Sequence, residues 1–141
     1  PMSQRDVQWF MTALAKAWSS LSPAAVASFH DAPCLLSSVS GNRVLEDEAA
    51  LLSYFTRMIG FYRKQRVSQV ELVKTEITVP RVLAVPLFAN TQSEWRLWGA
   101  DRMPIVGFHT TQLLRRTPDG WRVSTTASHD EQQRFKARRG K

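Results

Sequence analysis

Cysteine is nearly absent: Cys34 is the only one among 141 residues. That excludes an intrachain disulfide and any cysteine-based metal cluster. Its neighbours Pro33, Leu35 and Leu36 point to a buried, inert thiol rather than a nucleophile. Long apolar runs are also missing, and no stretch nears the roughly 18 residues of a membrane helix. No apolar leader is visible, since Arg5 and Asp6 precede an amphipathic pattern. The expected location is therefore cytoplasmic, and Pro1 ahead of Met2 reads as a cloning remnant. Repeats, low-complexity stretches, a Gly-rich phosphate loop, a G-x-S-x-G elbow and a paired-carboxylate motif are all lacking. The three histidines stand far apart, with no carboxylate at ligand spacing. Neither a metal nor a cofactor is expected.

Acidic residues are the scarcer sign, 12 against 19 basic, for a net charge of +7. The excess is uneven. Arg57, Arg63, Lys64 and Arg66 form one cluster; Arg134, Lys136, Arg138, Arg139 and Lys141 form another. A basic tail gives only a non-specific, salt-sensitive attraction to nucleic acid, and Phe135 alone offers little stacking. Nucleic acid is not the expected partner. The length suits one domain with a single core. The expected division is a domain over 2–130 and a basic C-terminal tail over 131–141.

What is present is a change of period. Val7, Phe10, Met11, Leu14 and Trp18 mark one face of a helix over about 4–20. Ser22-Pro23 starts a short second helix, with serine as cap and proline in the first turn, ending near His30. Residues 34–39 and 43–45 flank Ser40-Gly41-Asn42, a small hairpin. Leu51, Phe55, Met58, Ile59 and Tyr62 then predict a third helix over 47–64, acidic at its start and basic at its end. From Val67 the period is two, with strands expected at 67–78, 82–90, 104–117 and 121–127. Pro86 marks the second of these as an edge strand or a bulge. Residues 91–103, which include Trp95 and Trp98, read as a long hairpin tip or flap. Thr117-Pro118-Asp119-Gly120 has the chemistry of the last tight turn.

The predicted fold class is α+β: a strongly curved antiparallel sheet with three helices on its concave side. Such a sheet forms a cone, and the inside of a cone is a pocket. Three stretches carry a family resemblance: residues 14–36 (LAKAWSSLSPAAVASFHDAPCLL), 41–55 (GNRVLEDEAALLSYF) and 109–123 (HTTQLLRRTPDGWRV). They resemble the NTF2-like (nuclear transport factor 2-like) cone fold shared by SnoaL-type cyclases, ketosteroid isomerases and scytalone dehydratase. The resemblance implies a pocket and, frequently, a homodimer. It does not carry over the isomerase machinery of a carboxylate base, a tyrosine and a protonated acid. The corresponding positions hold Ser37, Ala13 or Leu14, and Thr110 or Thr111.

His109, Thr111 and Leu113 share one face of the strand over 104–117. If that face is concave, His109 is an acid–base group inside the cone, with Thr111 and Tyr54 orienting. If it is convex, His109 lies on the outside or in a dimer contact. Tyr54, Trp98 and Ser37 complete the ligand-binding candidates; Trp95 and Trp98 either cap the pocket or fill a dimer interface. His30 is expected to serve the end of helix two, His129 to be exposed, and Trp18 and Trp121 to be core; Tyr62 reads as core from its place on the stripe of helix three, with pocket lining as its alternative. The expected occupant is a small apolar or ring-containing molecule, with lyase, isomerase or cyclase chemistry. The alternative is a non-catalytic dimeric interaction module.

Overall fold

The computed structural model describes residues 2–82 and 84–139. Helix α1 (Met2–Ser19) buries Val7, Met11 and Leu14 completely, one stripe at helical spacing. Helix α2 (Pro23–Ala27) starts where the Ala25 N–H donates to the Ser22 hydroxyl at 3.2 Å. Strand β1 (His30–Ser38) and β2 (Gly41–Leu45) follow as a hairpin. Helix α3 (Glu48–Lys64) is capped by Asp47, whose carboxylate accepts from the Ala50 N–H at 2.8 Å. It buries Leu51, Phe55, Ile59 and Tyr62. Strands β3 (Val67–Thr78), β4 (Phe88–Gly99), β5 (Pro104–Thr117) and β6 (Gly120–Ser128) complete the sheet, and helix α4 (Glu131–Arg139) follows it.

The six strands run in the order β2-β1-β6-β5-β4-β3. Every neighbouring pair is antiparallel except β1 and β6, which run parallel with Leu36 opposite Thr126. Register shifts interrupt β3, β4 and β5, at Leu72/Lys74, Leu97/Trp98 and Leu113/Leu114. Each such bulge bends its strand and strengthens the local twist, which is how a long sheet curls around its helices. The turn from β5 to β6 closes with Gly120 at φ +106°, a conformation that disfavours side chains, and the Thr117 hydroxyl donates to the Gly120 carbonyl at 2.8 Å.

Three places differ from expectation. Helix α2 ends at Ala27 rather than near His30, and β1 begins at His30 rather than at residue 34. Residues 79–82 and 84–87 are not strand, and the part of the expected strand at residue 83 lies outside the described residues. Val82, Val85 and Leu87 are exposed, with Pro80 and Pro86 interrupting any ladder. The second long strand lies later, and the expected flap is its body. Ala89, Thr91, Ser93, Trp95 and Leu97 alternate inward along β4, while Gln92, Glu94 and Arg96 fall between them. The small hydroxyl residues on the buried face hide the period. The expected basic tail is helix α4 through Arg139. Phe135 is buried there, with its ring edge-on to Phe61 at 4.9 Å, and apolar burial of this kind is what orders so polar a helix. The Ser40 hydroxyl donates to Gln132 Oε1 at 2.7 Å and ties α4 to the β1–β2 turn.

Candidate functional site

Between α3, α4 and the inner face of the sheet lies a cavity of about 670 Å³. Small-molecule sites typically span about 300–1,000 Å³. Its walls are largely apolar: Trp18, Phe55, Met58 and Phe61 from the helices, Val70, Trp95 and Phe108 from the sheet, and Phe135 from α4. A few polar groups converge on it. The alternation of β5 turns Phe108, Thr110 and Gln112 inward. Thr110 accepts from the Trp95 indole N–H at 2.8 Å, which fixes that ring in the wall. The Gln112 amide N–H donates to the Thr126 hydroxyl at 3.1 Å, and its Oε1 is buried without a partner. Turning the amide over moves the vacancy to the nitrogen without filling it.

Glu131, at the first turn of α4, is buried in this wall. The Tyr62 hydroxyl donates to its Oε2 at 2.6 Å. Burial pushes the Glu131 carboxyl up to about 7, against the pull of the Tyr62 hydrogen bond; the charge of Asp130 adds to the rise. Burial also raises Tyr62 well above the usual phenol range, with the Glu131 charge second. Tyr54 is raised by burial and then by the Glu131 charge. His30 forms another part of the wall. Its Nδ1–H donates to the Val26 carbonyl at 2.9 Å and its ring packs on Phe55 at 4.5 Å. Burial lowers it to about 4, so it is neutral near pH 7 and Nε2 is its acceptor. It opens β1 and serves the end of α2 through the Val26 carbonyl, as a neutral hydrogen-bond donor and not as a charge on the macrodipole.

The sequence-derived site divides. Ser37 and Tyr54 line the cavity, and the Arg43 guanidinium lies over the Tyr54 ring at 5.5 Å. His109, Thr111 and Trp98 do not line it. His109 and Thr111 have the opposite strand parity from Phe108, Thr110 and Gln112, so they point to the outer face. There His109 binds Asp130 twice. Its backbone N–H donates to Oδ1 at 2.7 Å, and its ring Nδ1 lies 3.0 Å from Oδ2. Thr111 shares a hydrogen bond with the His129 ring at 2.7 Å. Partial burial would raise the Asp130 carboxyl, but the hydrogen bonds and charge of His109, with Arg134 nearby, hold it below its ordinary value. This outer cluster pins the start of α4, one residue before Glu131. Trp98 donates its indole N–H to Glu71 Oε1 at 2.9 Å, with Arg96 over its ring at 5.7 Å. Cys34 is buried, and burial pushes its thiol up to about 11.

The sequence does not single out Glu131, and it offers Tyr62 only as the weaker reading of a core position. Glu131 lies in the stretch that reads as tail. The available signal was its spacing of four from Phe135, one turn of a helix. Tyr62 sat on the core stripe of α3, where nothing in the sequence says that its hydroxyl has a buried partner.

Residues 5–131 match the model of a family described as NTF2-like protein (DUF6841). No curated protein matches the chain. Solved structures do. Aln2 from a Streptomyces species superposes with a TM-score of 0.73 at 11% identity, over 97% of this chain and 96% of that one. An NTF2-like protein with a cystatin-like fold from Novosphingobium aromaticivorans gives 0.70 at 13%, over 96% and 87%. An NTF-2 like protein of unknown function from Shewanella oneidensis gives 0.69 at 16%, over 91% and 99%. At these identities the likeness is one of fold.

Proposed function

The chain belongs to the NTF2-like family DUF6841, and we propose that its cone holds a small apolar or ring-containing molecule and moves a proton on it. One observation carries this: a buried carboxyl, Glu131, in an apolar wall with the Tyr62 hydroxyl on one of its oxygens. A carboxyl near 7 is present in both forms at neutral pH, so it can accept a proton and return it. Among the described residues no hydrogen bond engages Oε1, which is left for the ligand. Tyr62 is a positioning residue. It holds the carboxylate by Oε2 and keeps its own proton, since its phenol is raised far above neutrality. Gln112, with one buried amide atom unmatched, is suited to bind a carbonyl or hydroxyl of the ligand.

The chemistry that suits these parts is removal of a proton from carbon beside a carbonyl. Glu131 takes the proton, the electron pair moves to the carbonyl oxygen, and the same carboxyl returns the proton. Return at another carbon is isomerisation; expulsion of a leaving group instead is a lyase step. The acid–base candidate thus moves from His109 to Glu131. The test is exchange of the α-hydrogens of 2-tetralone in D2O, followed by NMR. Exchange above the buffer rate that disappears in Glu131→Gln supports the proposal. Equal rates in the two proteins overturn it.

The exposed run Val82, Val85, Leu87 and Phe88 favours a second reading, a non-catalytic dimeric module. A dimer by light scattering that Val85→Asp/Phe88→Asp dissociates, in a protein without exchange activity, is its expected outcome.

A further inference from the structure

The cavity is apolar within and basic at its mouth. Arg43 on β2 and Lys136 and Arg139 on α4 are among the lining residues and are exposed to solvent, which puts them at the opening. Lys136 and Arg139 are three residues apart and share one face of their helix. The Ser40–Gln132 hydrogen bond holds the two elements together, so cations from both meet at a single opening. Among the described residues these three cations have no carboxylate partner. By contrast, Arg96, Arg115 and Arg134 are each paired, with Glu94, Asp31 and Asp130.

Further in, the charge pattern reverses. Among the described lining residues the inner wall presents no cation, because His30 is neutral near pH 7, and its one acidic group is Glu131. A negative head would be repelled there by an ionised carboxyl and would lose its hydration without compensation. At the mouth the same head keeps part of its water and meets the cations of Arg43, Lys136 and Arg139.

We propose that the occupant is an amphiphilic anion, with its apolar ring or short chain in the cone and one oxyanion head at the mouth, held by Arg43, Lys136 and Arg139. This deepens the function proposed above and rests on the cavity being a ligand site. The orientation is fixed by charge, and it carries the apolar body, not the head, toward Glu131. A neutral molecule of the same shape gains the apolar burial alone. Inorganic phosphate gains the head contacts alone.

Calorimetric titration at low salt with 2-naphthoate, 2-naphthalenemethanol and inorganic phosphate separates these terms. The naphthoate is expected to bind roughly tenfold more tightly than the alcohol, about twofold for each exposed cation. Phosphate alone should bind far more weakly than either. In Arg43→Gln/Lys136→Gln/Arg139→Gln the naphthoate should fall to the affinity of the alcohol, which itself stays unchanged. Lys136→Gln/Arg139→Gln, which leaves the Arg43–Tyr54 stack intact, should lose most of the preference and serves if the triple variant does not fold. If neither naphthalene binds, the ligand-site reading falls and this proposal with it. If the alcohol binds as tightly as the naphthoate, the ligand site stands and the anionic head is overturned. A preference that survives both variants overturns it too, since the charge would then act from elsewhere on the surface. Phosphate binding as tightly as naphthoate overturns the amphiphile.

Discussion

The hydroxyl of Tyr62 donates to Glu131 Oε2 at 2.6 Å, joining α3 to α4 across 69 residues of chain inside the cavity wall. Hydrogen bonds to a charged group contribute more than neutral ones, about 1.5–3 kcal/mol. Tyr62→Phe should therefore destabilise the fold by about that much above pH 7, where Glu131 is ionised, and by less near pH 5. Urea melts at the two pH values check it. Equal losses at both would mean that the bond does not depend on the carboxylate.

Glu131 and His30 give stability opposite slopes with pH. The Glu131 carboxyl rises from 4.5 to about 7 on folding, so its contribution is complete below 4.5 and is lost as pH climbs to 7. The His30 ring falls from 6.5 to about 4, so its penalty grows as pH falls from 6.5 toward 4. The two offset in the intact chain. In Glu131→Gln, stability should rise with pH between about 4 and 6.5, with a slope approaching about 1.4 kcal/mol per unit. In His30→Gln it should fall between about 4.5 and 7. Denaturant melts across pH 4–8 measure both slopes.

Thr110 holds the Trp95 indole in the wall by a single 2.8 Å bond. Thr110→Val leaves that buried N–H without a partner and should cost about 1–3 kcal/mol. Thr110→Ser keeps the hydroxyl and should cost much less. Thermal melts of the pair, with Trp95 fluorescence as the local reporter, make the comparison.

His109→Ala removes an exposed contact and lies outside the cavity, with the side chain 49% exposed. It should cost less than about 1 kcal/mol. Any α-proton exchange by the protein should persist. Loss of exchange in this variant, with the fold intact, would return the acid–base role to the outer face.

The fold was legible where packing follows one simple period. The stripes Val7–Met11–Leu14 and Leu51–Phe55–Ile59–Tyr62 predict α1 and α3 within two residues of their ends. The Pro-Asp-Gly turn places the last hairpin. β4 was obscured because Thr91 and Ser93 occupy buried positions that a hydrophobicity pattern counts as polar. α4 was obscured because one buried phenylalanine orders a helix rich in arginine. The cavity face of β5 was not legible, since the sequence shows alternation but not which parity turns inward. The odd residues include His109 and Thr111; the even ones, Thr110 and Gln112, face the cavity. The Tyr62–Glu131 pair depends on where α4 folds back, and no local pattern records that.

The most direct measurement is the titration of the Glu131 side-chain carboxyl by carbon-13 NMR, assigned by its absence in Glu131→Gln. The midpoint should lie near 7, moving higher in Tyr62→Phe as the hydrogen bond that favours the carboxylate is lost. A midpoint at the ordinary glutamate value near 4.5, unchanged in Tyr62→Phe, would contradict a buried acid–base carboxyl in this cavity.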